Sequence, residues 1–406
     1  MIPNSTGGRH LDDELRETLA ALSRDGLGRR LRPIDSVNGV LISSGQHRLI
    51  NFAANDYLGL TNHPEVLEGG IRAAREFGSG ASASRLVSGS LRPHLALEEA
   101  LAQFQNSERT LVFESGQAAA QGTIPVLVGR GDFVILDRLA HACLIDGAKL
   151  SGAQLRVYAH NDLESLETVL RRIRRSSDRA RILIATESLF SMDGDTCPLH
   201  ALLELKSRYG AWLLLDEAHA IGQLGPEGRG LAIDAAPEVE VRLGTLSKGF
   251  GVAGGFIAGS ATLIEYLINR ARTFIFSTAP PAFVTGAALA ALRIITSEEG
   301  EMRRARLRKN IAQLRSEIHG LLGEFAIAPL IVGSEFSTLK LATKLWQRGF
   351  FVPAIRFPTV RKSQARLRFA VSAAHELRQI SELGACVRSI IGNVQDGPGE
   401  AAGRDH

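Results

Sequence analysis

Cysteine is scarce in this 406-residue chain, and Cys143, Cys197 and Cys386 are far apart with no CxxC pair. That excludes a disulfide framework and a cysteine zinc site, and it fits a reducing compartment. No run of about 18 apolar residues occurs, so no membrane span is expected. The start, Met1-Ile-Pro-Asn-Ser-Thr-Gly-Gly, lacks a basic segment followed by an apolar one. No signal peptide is therefore expected, and the expected location is cytoplasmic. Aromatics are only 6% and do not interleave with the arginine runs Arg171-Arg-Ile-Arg-Arg175 and Arg303-Arg-Ala-Arg-Leu-Arg-Lys309. Nucleic acid is thus not an expected partner. Those runs read as solvated helix faces, with a landing patch for an acidic partner as the alternative. Asp216-Glu-Ala-His219 also occurs as the DEAH box of nucleic-acid helicases. A helicase needs a Walker A loop, and none is present, because Gly244-Thr-Leu-Ser-Lys248 has no glycine before its lysine.

What is present is an ordinary soluble composition, 45% hydrophobic and 22% charged with net charge +4. The length suits a large domain and a small one. Residues 1–50 read as an N-terminal arm, with a helix over 11–27 and a hairpin around Ser43-Ser-Gly-Gln46. Residues 51–285 read as the main domain. Apolar strands are expected at 110–113, 133–136, 155–158, 182–185, 212–215 and 255–258, mostly with helices between them. That alternation predicts an α/β fold with a mostly parallel central sheet covered by helices. Residues 286–396 read as a smaller C-terminal α+β domain, with strands at 328–332, 351–355 and 366–371. Residues 397–406 form a polar tail, expected to be disordered.

In parallel sheets ligands sit at the carboxyl ends of the strands. His141, Glu187, Ser191, Asp216, His219 and Lys248 each follow an expected strand. Trp212-Leu-Leu-Leu-Asp-Glu-Ala-His219 is an apolar run that ends in polar groups, as a buried strand would deliver them. In Gly244-Thr-Leu-Ser-Lys-Gly-Phe-Gly251, Lys248 lies among small residues that let a flat ligand approach the backbone. A desolvated lysine amine is a nucleophile able to form a Schiff base, and a buried aspartate would pair with a protonated ring nitrogen. Ser115-Gly116 stands between a strand and a helix, where exposed N–H groups suit a phosphate, although a plain strand-to-helix turn reads the same way. His141 alone reads more readily as a satisfied structural histidine. A metal site of His141, His219 and Asp216 lacks an i, i+4 ligand pair, so no metal is expected.

Six segments in order carry a resemblance. They are Asn55-Asp-Tyr-Leu-Gly-Leu60, Ser84-Arg-Leu-Val-Ser-Gly89, Thr186-Glu-Ser-Leu-Phe-Ser-Met-Asp-Gly194, Asp216-Glu-Ala-His219, Gly225-Pro-Glu-Gly-Arg-Gly230 and Thr245-Leu-Ser-Lys248. Together they resemble the α-oxoamine synthases, fold-type I enzymes dependent on pyridoxal 5'-phosphate (PLP). These are decarboxylating C-acyltransferases that join an amino acid to an acyl thioester. The resemblance runs from about residue 10 to 395. It implies that Lys248 is the Schiff-base lysine and proton-abstracting base, that Asp216 pairs with the pyridinium nitrogen, that His219 reaches the ring hydroxyl and that His141 stacks on the ring. It implies that Ser115, Gly116, Gln117, Thr245 and Ser247 hold the phosphate, with Ser191 beside the ring. Ser277 and Thr278 would reach the phosphate of a neighbouring subunit, implying a homodimer with shared sites. Arg368, with Asn55, would take the amino-acid carboxylate, and Thr359 would lie near the acyl substrate.

The stretch Ala354-Ile-Arg-Phe-Pro-Thr-Val360, with Ala365-Arg-Leu-Arg368 and Thr273-Phe-Ile-Phe-Ser-Thr-Ala-Pro-Pro281, is most similar to the biotin-pathway branch of the family. That branch joins alanine to a pimeloyl thioester, and there Arg29 would hold the far end of the acyl chain. The alternatives are branches that use glycine or serine with other acyl-CoA or acyl-carrier-protein donors, and an inactive partner subunit. The intact Lys248, Asp216, His219 and His141 speak against the last. Three departures stand out: Gln117 where the family has an aromatic, Ala120 where it has Asn, and Arg361-Lys-Ser-Gln364 in the lid of the acyl pocket.

Overall fold

The computed structural model describes residues 10–395. The expected tail, residues 397–406, lies outside the described residues. Strands β1 (Ser36–Asn38), β2 (Leu41–Ser44) and β3 (His47–Asn51) form an antiparallel meander after the helix Leu11–Arg24. The main sheet contains β4 (Arg109–Phe113), β5 (Phe133–Asp137), β6 (Gln154–Tyr158), β7 (Ile182–Glu187), β8 (Trp212–Asp216), β9 (Val241–Thr245) and β10 (Gly255–Gly259). Its spatial order is β4-β10-β9-β8-β7-β5-β6. Only β10 runs against its neighbours. β5 and β7 are buried at every position, as helices on both faces require. The sequence reading omits β9. The charges at Glu240 and Arg242 break its apolar run, yet Arg242 is buried and its guanidinium donates to the Gln105 carbonyl.

The C-terminal sheet pairs β11 (Ile327–Gly333) and β14 (Ala365–Ala370) antiparallel. The strand expected at 351–355 is two short ones. β12 (Phe350–Phe351) joins the N-terminal meander parallel to β3, and β13 (Ala354–Ile355) joins β14. Pro353 falls between them, where its missing N–H ends one ladder before the other begins. The N-terminal arm thus shares a sheet with the C-terminal region. The expected 285/286 boundary falls inside the helix Ala282–Ile295. That helix packs on Pro64–Phe77 backbone to backbone, since a Cβ at Gly69 would sit 2.8 Å from the Gly286 carbonyl oxygen. One apolar cluster runs from Phe52, Tyr57 and Leu60 through Leu292 and Leu307 to Phe369 and Ile380. It fixes the C-terminal sheet over the carboxyl ends of the main strands, where the polar groups emerge.

Candidate active site

Glu187 and Asp216 are register partners at the ends of β7 and β8, so the two parallel strands deliver two carboxylates side by side. Both are buried. Asp216 Oδ1 accepts the Ala218 N–H at 2.9 Å, and Glu187 Oε2 accepts the Ser191 N–H at 3.1 Å. Glu187 Oε1 has no partner among the described residues. Burial, reinforced by the neighbouring Asp216 charge, pushes the Glu187 carboxyl up to about 8. Burial raises Asp216 as well, while Lys248 and His141 pull it back toward the anion.

Lys248 follows β9, and its Nζ lies 2.9 Å from His219 Nε2. Burial lowers the amine below its ordinary value and Arg368 adds to this, against the pull of Asp216 and Glu187. His219 lies well below its ordinary value, first through burial and then through Lys248 and Arg368, so its ring is neutral. His219 Nδ1 is 2.6 Å from the Tyr57 hydroxyl, which also lies 3.3 Å from Asn55 Oδ1. Asn55 Oδ1 accepts from Arg368 Nη2 at 3.2 Å, and Arg368 Nε donates to the Ser191 carbonyl at 2.7 Å. One hydrogen-bonded path thus runs from Lys248 through His219, Tyr57 and Asn55 to Arg368 and Ser191.

Arg368 is 4% exposed and has no carboxylate partner among the described residues, whereas Arg366, two residues away, pairs with Asp193 at 2.9 Å. The loop carrying Ser191 and Asp193 is pinned from beneath. His160 bridges Asp137 at 2.9 Å and Asp195 at 2.8 Å, and these two carboxylates hold its ring up to about 10 despite burial.

The helix Gly116–Leu127 points its N-terminus at the same end of the sheet. Ser115 caps it by accepting the Ala118 N–H at 3.0 Å. A Cβ on Gly116 would lie 3.9 Å from Thr245 Oγ1, which is itself 2.8 Å from Ser247 Oγ. A Cβ on Gly255 would meet the Gly116 nitrogen at 2.4 Å, so only glycine admits the helix start here. This N-terminus, two hydroxyls and the exposed Gln117 form an anion cradle. His141 caps the helix Ala142–Ser151 through Nδ1, which also lies 3.0 Å from Cys143 Sγ, and it remains exposed on the open side.

The remaining candidates lie apart from this cluster on the single chain. Thr278 is exposed and Ser277 partly so, and Thr278 bridges to Ser84. Thr359 and Arg29 are exposed. Arg29 stands beside Arg356, whose guanidinium donates to the Gly26 carbonyl and, at 3.3 Å, to that of Gly28. Sequence reasoning assigned no role to Tyr57. It reads as a core aromatic and its ring is one, but its hydroxyl faces His219. The polar Asn55-Asp56 before it was the available signal.

The family model for aminotransferase class I and II matches residues 47–385. An 8-amino-7-oxononanoate synthase from Herminiimonas arsenicoxydans is 43% identical over 389 residues, covering 92% of this chain and 99% of its own. Another from Dechloromonas aromatica is 42% identical over 392 residues, covering 94% and 100%. Among solved structures, the serine palmitoyltransferase from S. paucimobilis with PLP and myriocin bound is similar, with a TM-score of 0.88 at 26% identity. It spans 95% of this chain and all of its own.

Proposed function

The chain belongs to the aminotransferase class I and II family and, within it, to the α-oxoamine synthases, and we propose that it condenses L-alanine with a pimeloyl thioester to give 8-amino-7-oxononanoate with loss of carbon dioxide. The relatives that support the biotin-pathway reading are 42–43% identical over nearly the whole chain. The serine palmitoyltransferase shares the fold at 26% identity. Within the chain, the observation that carries the reading is the buried Arg368, which meets no carboxylate among the described residues and is joined through Asn55, Tyr57 and His219 to Lys248. Binding an amino acid for loss of its α-proton needs a cation for its carboxylate and a base near its α-carbon, and Arg368 and Lys248 stand at the two ends of this path.

The residues fit PLP. A buried carboxylate, a lysine and an anion cradle stand at one end of the sheet, and that donor set matches a protonated ring nitrogen, an aldehyde and a phosphate. Asp216 would hold the ring nitrogen. The Gly116 N–H, Thr245 and Ser247 would hold the phosphate, with Ser115 and Gln117 beside them. His141 would cover the ring, and Ser191 would lie at its edge. When bound, PLP supplies the electron sink for a carbanion beside the amino-acid nitrogen.

The chain's own groups do the rest. Arg368 binds the substrate carboxylate in its planar fork and so orients the α-carbon. Lys248 Nζ, whose hold on its proton burial weakens, takes the α-proton, a role that contributes roughly 10²–10⁴-fold. His219 holds Nζ in place. Ser277 and Thr278, set away from the cluster on their own chain, would complete the site of a second copy, so the working unit is a homodimer. Arg29 would meet the pimeloyl terminus, and Thr359 would lie along the acyl chain. The test is a panel of alanine, glycine and serine against pimeloyl and plain acyl thioesters, on coenzyme A and on acyl carrier protein. The product is followed by mass and the released carbon dioxide is measured. A preference for serine with a long plain chain would replace this reading with the serine palmitoyltransferase one.

A further inference from the structure

We propose that Tyr57 is a positioning residue: its hydroxyl donates to His219 Nδ1 and so fixes the imidazole proton on Nε2, aimed at Lys248. This rests on the proposed reaction, but its first test does not need that reaction.

The two ring nitrogens of a neutral histidine play opposite roles, and whichever partner claims one nitrogen decides the other. Among the described residues, Tyr57 is the one partner of Nδ1, at 2.6 Å, and Lys248 the one partner of Nε2, at 2.9 Å. The Tyr57 hydroxyl also lies beside the Arg368 guanidinium, and its Nδ1 contact is far shorter than the 3.3 Å to Asn55 Oδ1. Asn55 Oδ1 is a second acceptor within reach of the phenol proton, and the much shorter contact assigns that proton to Nδ1. Tyr57 is fully buried, and that burial pushes its hydroxyl up to about 12, so the proton remains on the phenol. The ring then carries its hydrogen on Nε2 and points it at the Lys248 amine 2.9 Å away.

The consequence is chemical. A fixed Nε2–H holds the lysine lone pair in one direction, and it offers a donor to any anionic oxygen that enters the cavity. The resemblance places the cofactor's ring oxygen there. The same phenol stands next to Asn55 and Arg368, so the carboxylate clamp and the lysine are built on one buried side chain.

Two measurements test this. In wild-type protein with ¹⁵N-labelled histidine, long-range ¹H–¹⁵N spectra of the full chain distinguish the tautomers, with and without PLP. The Nε2–H form is expected for His219, and an Nδ1–H form would overturn the proposal without any variant. In Tyr57→Phe, which keeps the ring and removes only the hydroxyl, the Nε2–H signature should weaken or mix. The pH midpoint of the visible band of PLP-loaded protein should rise by about one unit, a tenfold change. kcat should fall about tenfold, with KM for the amino acid within twofold. A Tyr57→Phe protein with an unchanged band midpoint and unchanged kcat also overturns it. If neither wild type nor variant turns over any thioester, the reaction assignment fails, while the tautomer and the band still decide the role of Tyr57.

Discussion

Replacing Arg368 with alanine tests the amino-acid site most directly. Arg368 Nε donates to the Ser191 carbonyl and Nη2 to Asn55, which leaves the rest of the guanidinium fork for a ligand. No carboxylate among the described residues competes for it, while Arg366 is spent on Asp193. Removing one partner of a buried, hydrogen-bonded charge pair costs about 2–5 kcal/mol, most of it the penalty of the stranded charge. Here the stranded charge is the substrate's, so the loss appears as about 30- to 4,000-fold in kcat/KM, at roughly 1.4 kcal/mol per tenfold. KM for the amino acid should carry most of it. The substitution also strands the Ser191 carbonyl, worth about 1–3 kcal/mol of stability if it finds no water. The melting temperature is therefore measured alongside. Arg368→Lys keeps the charge but loses the fork, and it should fall between wild type and Arg368→Ala. The assay is steady-state turnover with the thioester saturating and the amino acid varied. A folded Arg368→Ala protein whose KM stays within twofold of wild type would refute the assignment, and Arg356 would be examined next.

Lys248→Ala should abolish turnover and the borohydride-stable attachment of PLP while leaving weaker reversible binding of the cofactor. Turnover that persists removes Lys248 from the reaction. Arg29→Leu should weaken use of a pimeloyl thioester by about 1.5–3 kcal/mol, the range for a hydrogen bond to a charged group, and spare a plain thioester of equal length. Equal effects on both donors place Arg29 outside the acyl site. His160 is raised to about 10 in the folded chain against an ordinary 6.5. Its contribution to stability is therefore complete below about pH 6.5 and lost as pH rises through about 10. Thermal melts of His160→Gln should be depressed relative to wild type at pH 6, with the gap closing toward pH 10. A constant gap would show that the two bridges to Asp137 and Asp195 do not depend on the imidazolium.

The sequence by itself determined the family and the α/β class, and it pointed to candidate site residues near strand ends. Asp216 stood out because a buried apolar run that ends in a charge leaves that charge only one place to emerge, and Lys248 because it lies among the small residues of Gly244–Gly251. The anion cradle was legible because Ser115-Gly116 sits between a strand and a helix. Tertiary structure decided what lies far apart in the chain. Glu187 becomes the neighbour of Asp216 only through the β7–β8 register. Arg368 is separated from Arg366 by what each meets, a single side-chain period placing one beside Asn55 and the other on Asp193. The division of 351–355 between two sheets depends on which edge each half reaches. Tyr57 and His219 are 162 residues apart, and their 2.6 Å contact exists only because one apolar cluster folds the early segment under the main sheet. Periodicity and motif spacing report which face a residue takes within its own element; which side chain waits on the other side is set by packing.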